Sequence, residues 1–142
     1  MAAPHFLLIT FPSQGHINPG LQFAKYLVRC GAQVTFAMSV SARRGLTKST
    51  STTPNGITLA TFSDGYDDHA AFDPENDSVE EYMSKIERRG SETLAELIVE
   101  SANQGRPVDC LVYTCLIPWA AVVAREYHIQ VAVLWIQPAN AL

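Results

Sequence analysis

The sequence has 142 residues, 47% of them hydrophobic and 17% charged, with Lys+Arg 10 against Asp+Glu 14 and a formal net charge of −4. That balance belongs to a folded globular domain of one unit and excludes a disordered, collagenous or fibrous chain. The acidic excess leaves no electrostatic footprint for a nucleic-acid backbone or an anionic membrane surface.

Phe6 to Phe11 is a nearly continuous apolar run stopped by Pro12. It reads as a strand buried on both faces, the kind a parallel sheet makes. Asn18-Pro19 supplies an N-cap followed by proline at the first helical position, and Leu21, Ala24, Leu27 and Val28 recur at helical spacing up to Gly31. Val34 to Met38 predicts a second strand, Ser41 to Lys48 a short helix, Thr47 to Thr53 a Ser/Thr-rich loop, and Ile57 to Phe62 a third strand entered through the turn signal Pro54-Asn-Gly56.

Ser63 to Asp77 carries five aspartates without periodicity and reads as a long surface loop. Ser78 with Glu81 forms a capping box, and Val79, Met83, Ile86, Gly90, Leu94, Leu97 and Ile98 continue at spacings of three and four towards Gly105, giving a long amphipathic helix with a bend expected near Gly90. Val108 to Tyr113 predicts the fourth strand, Pro118 to His128 a mostly apolar helix, and Val131 to Trp135 the fifth strand. Alternating strands and helices specify an α/β fold, a Rossmann-like parallel sheet with helices on both faces joined by right-handed crossovers. The chain stops at Leu142, just past a buried strand where a further helix is expected, so a truncated domain is the reading.

Three cysteines without paired spacing make no disulfide framework and point to a reducing, cytoplasmic setting. No stretch reaches the roughly 18 apolar residues of a spanning helix, so no membrane span is expected. The start of the chain also lacks the basic region of a secretory signal.

Ligands in open parallel sheets sit outside the carboxyl ends of the strands. The loop Pro12 to Pro19 joins a strand to a helix and places Gly15 and His16 at the helix's positive end, where anionic groups are favoured and an imidazole is kept neutral. His16 therefore reads either as a general base near pH 7 or as a polar residue packing the helix start. The loop has neither the dinucleotide fingerprint nor the Walker pattern. His5, His69 and His128 read as solvated or structural, and no His/Cys cluster has zinc spacing, so no metal is expected. Asp64, Asp67, Asp68 and Asp73 lack EF-hand spacing and read as solvated. Trp119 and Trp135 read as core or as cleft lining.

Phe11-Pro-Ser-Gln-Gly-His-Ile-Asn-Pro19 resembles the opening of plant family 1 UDP-sugar glycosyltransferases, and the similarity runs through essentially the whole chain. Thr61-Phe-Ser-Asp-Gly-Tyr-Asp-Asp68, Cys110-Leu-Val-Tyr-Thr114 and Leu134-Trp-Ile-Gln-Pro138 resemble the subgroup with crocetin glucosyltransferases and anthocyanin 5-O-glucosyltransferases. The resemblance implies a GT-B architecture in which residues 1–142 are the truncated N-terminal, acceptor-binding domain and the C-terminal donor-binding domain is absent. It further implies inverting transfer of glucose from UDP-glucose, a co-substrate and not a cofactor, to a carboxylate or phenolic hydroxyl of a plant secondary metabolite.

By the same resemblance His16 is the catalytic base, Gln14 and Gly15 lie near the donor, Leu116 and Trp119 form the acceptor wall, and Ile136 with Gln137 lie near the donor sugar. Thr114 occupies the position where many relatives carry an aspartate that orients and charge-stabilises the histidine. A hydroxyl cannot offset an imidazolium charge as a carboxylate does, so a weaker base and a tilt towards acceptors that arrive ionised are expected. Asp109 lies at the wrong end of its strand to substitute. The rival reading is an inactive, truncated module that binds a small ligand.

Overall fold

The computed structural model describes residues 3–43, 56–65 and 78–135. Strand β1 (His5–Ile9) lies at the centre of the five-stranded sheet, flanked on one side by β2 (Gln33–Ser39) and on the other by β4 (Cys110–Thr114). With β3 (Ile57–Phe62) and β5 (Gln130–Leu134) at the edges the order is β3-β2-β1-β4-β5 and every pairing is parallel. Each β1 residue from Phe6 to Ile9 is thus registered on two neighbours at once, Leu8 for instance on Phe36 and on Val112. This is why the sequence has a continuous apolar run there and no alternation.

Alternate residues of that run feed two separate cores. Leu8 packs with Phe36, Met38 and Ala24 beneath helix α1 (Gln14–Arg29). Leu7 and Ile9 pack on the opposite face with Ile86 and Leu94 of α2 (Val79–Asn103) and with Ala120 and Val123 of α3 (Trp119–Glu126). Burying each such aliphatic side chain is worth roughly 1.5–3 kcal/mol. The doubly covered sheet expected from the element order is the one observed.

Helix α1 begins earlier than the proline pattern predicts. Ser13, not Asn18, is its N-cap, and Pro19 lies inside the helix. Ser13 carbonyl accepts from both His16 N–H (3.0 Å) and Ile17 N–H (2.9 Å), closing a first turn ahead of the proline. Pro19 has no N–H for the carbonyl of Gly15, four residues back; Gly15 is exposed, so water can serve that carbonyl and the proline is tolerated. Gly20 then lets α1 settle on the sheet, since a Cβ there would stand 2.8 Å from Thr10 Cγ2 and 3.0 Å from Phe36.

Ser78 is the N-cap as expected, and its Oγ accepts the Glu81 N–H at 3.4 Å, one half of the capping box. The buried face of α2 is narrower than the expected stripe: Tyr82, Ile86, Gly90, Leu94 and Ile98 are buried, whereas Val79 is 59% exposed. Only residues 41–43 of the expected short helix fall within the described residues, and they are helical. The Thr47 to Thr53 loop, most of the Pro54-Asn-Gly56 turn and the greater part of the aspartate-rich segment fall outside them.

Gly90 marks the tightest approach between helices. A Cβ at this position would lie 2.4 Å from Trp119 Cη2 and 2.8 Å from Cζ2. Gly90→Ala should therefore lower stability by about 1–3 kcal/mol through overpacking, overriding the gain of up to about 1 kcal/mol that alanine brings to an open helix site. The urea midpoint measures this, and an unchanged or raised midpoint would show that the Trp119 ring moves aside freely.

Candidate functional site

At the carboxyl ends of β1 and β4 the chain departs to opposite faces of the sheet, from β1 into α1 and from β4 into α3 on the α2 side. Adjacent strands whose connections part this way leave a crevice, and that is where ligands of open α/β sheets bind. Residues 10–16 form one lip and residues 114–118 the other.

His16 stands on the first lip as the third residue of α1 and is partly exposed. Its imidazole meets the Phe11 ring edge-on, with centroids 5.6 Å apart and planes at 61°. Nδ1 is buried without a hydrogen-bond partner among the described residues. Burial lowers the His16 pKa from its ordinary 6.5, because desolvation disfavours the imidazolium. A neutral imidazole at the mouth of the crevice can accept a proton but has no hydrogen-bonded partner among the described residues to stabilise the charge that results.

Thr114, on the opposite lip, is 1% exposed. Its Oγ1 accepts the backbone N–H of Phe11 at 3.0 Å, a bond between residues 103 positions apart that ties the two lips together. No hydrogen bond joins Thr114 to His16 among the described residues. Asp109 is engaged at the far end of the sheet, where its carboxylate accepts the His5 N–H at 2.8 Å.

This crevice belongs to a chain that is 57% identical to UDP-glycosyltransferase 75C1 of Solanum lycopersicum over 143 residues, covering 100% of this chain and 30% of that one. It is 60% identical to the chloroplastic crocetin glucosyltransferase of Gardenia jasminoides over 138 residues, 97% of this chain and 29% of the other. Among solved structures, Os79 of O. sativa in complex with U2F and trichothecene superposes with a TM-score of 0.82 at 36% identity, over 94% of this chain and 29% of Os79. The chain is a relative of the plant UDP-glycosyltransferases and corresponds to an N-terminal part of them. It spans about 30% of the length of the curated relatives it matches. No protein-family model matches it.

The other positions that the glycosyltransferase resemblance singles out are dispersed. Gly15 is exposed beside His16, and Leu116 is 43% exposed on the turn after β4. Gln14 opens α1. Trp119 is not part of an open wall: its ring is 7% exposed, wedged against Gly90 and edge-on to Phe62 with centroids 6.2 Å apart. The gap left by a glycine draws the indole inward, and its Nε1 has no partner among the described residues. Ile136 and Gln137 lie outside the described residues, as do His69, Asp67, Asp68 and Asp73.

Three residues near the crevice escaped the sequence reading. Phe11, read only as the end of a strand, contacts His16 and Tyr82. Tyr82 is buried on α2, four residues before Ile86, and that spacing was a usable signal. Asp64, expected to be solvated with the other aspartates, is 1% exposed, and its Oδ2 accepts from the hydroxyls of Tyr82 and Ser41, each at 3.5 Å. A groove of about 510 Å³ between α2 and the β3 side of the sheet, lined by Arg43, Arg89 and Arg106 among others, includes neither His16 nor Thr114. Among the described residues no three His, Cys, Asp or Glu side chains converge as a metal site. Nor is any described helix long and apolar enough to cross a membrane.

The lowered His16 pKa fixes a sign. Below pH 6.5 the unfolded chain takes up the His16 proton before the folded one does, so this residue's contribution to stability falls as pH falls through that window. An NMR titration of the imidazole should give a midpoint below 6.5, and a midpoint above it would reveal a charge partner for His16.

Proposed function

We propose that this chain forms the acceptor side of a UDP-glucose-dependent glucosyltransferase whose donor-binding half lies outside these residues. The observation that carries the reading is His16: a partly exposed imidazole, kept neutral by burial, on the lip of the crevice in a chain 57% identical to a UDP-glycosyltransferase. An acceptor oxygen attacks the anomeric carbon of glucose on the face opposite UDP, the bond from that carbon to the UDP oxygen breaks, and configuration inverts. For a hydroxyl acceptor the proton passes to His16. Gln14, Gly15, Ile136 and Gln137 are assigned to the donor side and Leu116 to the acceptor wall. The three cysteines, all free thiols, support a reducing, cytoplasmic location.

Acceptor class follows from the same residue. Moving a proton from a phenol of pKa about 10 to an imidazole near 6.5 is uphill by roughly 5 kcal/mol at about 1.4 kcal/mol per unit, and burial of His16 makes it steeper. A carboxylic acid arrives ionised and needs no such transfer. With no carboxylate hydrogen-bonded to His16 among the described residues, the site favours carboxylate acceptors and glucose esters, with phenols second.

Tests require the enzyme with its donor half. His16→Ala should lower kcat for a phenol by about 100-fold or more with little change in acceptor affinity. Turnover within a few-fold of the parent would remove His16 from the role of base. Thr114→Asp should raise the ratio of kcat/KM for a phenol over that for a carboxylic acid at neutral pH and fixed salt, because a carboxylate rewards only the reaction that protonates His16 and repels an anionic acceptor. A flat or falling ratio in folded protein would show that this position does not set acceptor class. The 142-residue chain alone should transfer no glucose, and transfer by it would contradict the assignment of the donor half elsewhere.

A further inference from the structure

Among the described residues no hydrogen bond orients the His16 imidazole, and its aromatic contact is with the Phe11 ring, centroids 5.6 Å apart. Phe11 in turn is restrained from two directions. Its backbone N–H is bound by Thr114 Oγ1 at 3.0 Å, and its ring stands perpendicular (89°) to that of Tyr82, centroids 6.0 Å apart. Tyr82 is itself buried, with its hydroxyl on Asp64. The imidazole is therefore located by a ring whose backbone is fastened across the crevice to β4.

We propose that Thr114 is a positioning residue that acts on His16 through Phe11: the hydroxyl accepts the Phe11 N–H, the Phe11 ring is held against Tyr82, and the ring edge sets the plane of the imidazole. This rests on the reading of His16 as the base. It assigns Thr114 a role different from the aspartate of many relatives, since Thr114 contributes geometry and not charge. A group misplaced by even a fraction of an ångström costs a proton transfer much of its efficiency, so a hydrogen bond one residue removed from the base has leverage on kcat.

The test compares Thr114→Val, which keeps the shape and removes the acceptor, with Thr114→Ser, which keeps the acceptor, in the enzyme with its donor half. Thr114→Val should lower kcat for a phenol about tenfold with KM nearly unchanged and the pH midpoint of the profile unmoved, and Thr114→Ser should restore kcat to within about twofold, following the general cost of misorientation. In parallel, NMR should show faster exchange of the Phe11 amide and a displaced His16 Cε1–H signal, through the altered Phe11 ring current, in the valine variant but not in the serine one. Parent-like kcat in Thr114→Val, an equal loss in both variants, a loss confined to KM, or a moved pH midpoint would each overturn the proposal. If His16→Ala retains full activity, the base reading falls separately. The NMR arm then decides the positioning claim alone: a His16 signal unmoved by the valine substitution overturns it, and one moved by valine but not serine upholds it.

Discussion

The structure depends on the burial of β1 from both sides. A strand whose every apolar residue must be covered requires helices on both faces, and the chain supplies them by sending α1 to one face and α2 with α3 to the other. Because β1 also pairs with β2 and β4 at once, the two departures meet at its carboxyl end. The crevice is a by-product of packing the centre of the sheet, and the rigidity of that centre makes its rim a fit place for chemistry.

At that rim some polar groups are hydrogen-bonded within the fold and the Nδ1 of His16 is not, among the described residues. Thr114 and Phe11 close the gap between strands that are 103 residues apart in sequence, and the buried Asp64 and Tyr82 with the half-buried Ser41 form a second set behind Phe11. His16 is left with a buried Nδ1 that has no partner among the described residues, and with a lowered pKa. Among the described residues its Nδ1 takes no part in holding the fold, and the residue is partly exposed near the helix start. At the amino ends of the strands the reverse holds: His5 is buried with Nδ1–H donating to the Arg106 carbonyl (3.0 Å) and Nε2 accepting from the Thr35 hydroxyl (2.7 Å), a fully engaged structural histidine. Among the described residues the two imidazoles thus differ in whether their nitrogens are engaged by the fold.

Departures from local rules have identifiable physical causes. Pro19 reads as a helix start because proline suits the first turn, yet α1 begins a turn earlier since Ser13 can close that turn and Gly15, whose carbonyl the proline cannot serve, is exposed. Gly90 reads as a bend because glycine weakens helices, yet its function is to admit the Trp119 ring. At Gly90 a residue disfavoured by propensity is retained where two helices come close.

What the sequence determined by itself was the class and order of the elements and the place of the crevice. Continuous apolar runs, the Ser78 and Glu81 cap and the alternation of strand with helix are local signals, and parallel crossovers have one hand, so the sheet with helices on both faces followed. The motif around His16 was legible for the same reason, being contiguous. Only the tertiary structure decided which polar groups meet. The Thr114 bond to Phe11, the burial of Asp64 against Tyr82 and the withdrawal of Trp119 into the core join residues 18 to 103 positions apart or depend on a glycine 29 residues away. Such contacts are set by the packing of one element on another, which no local pattern records.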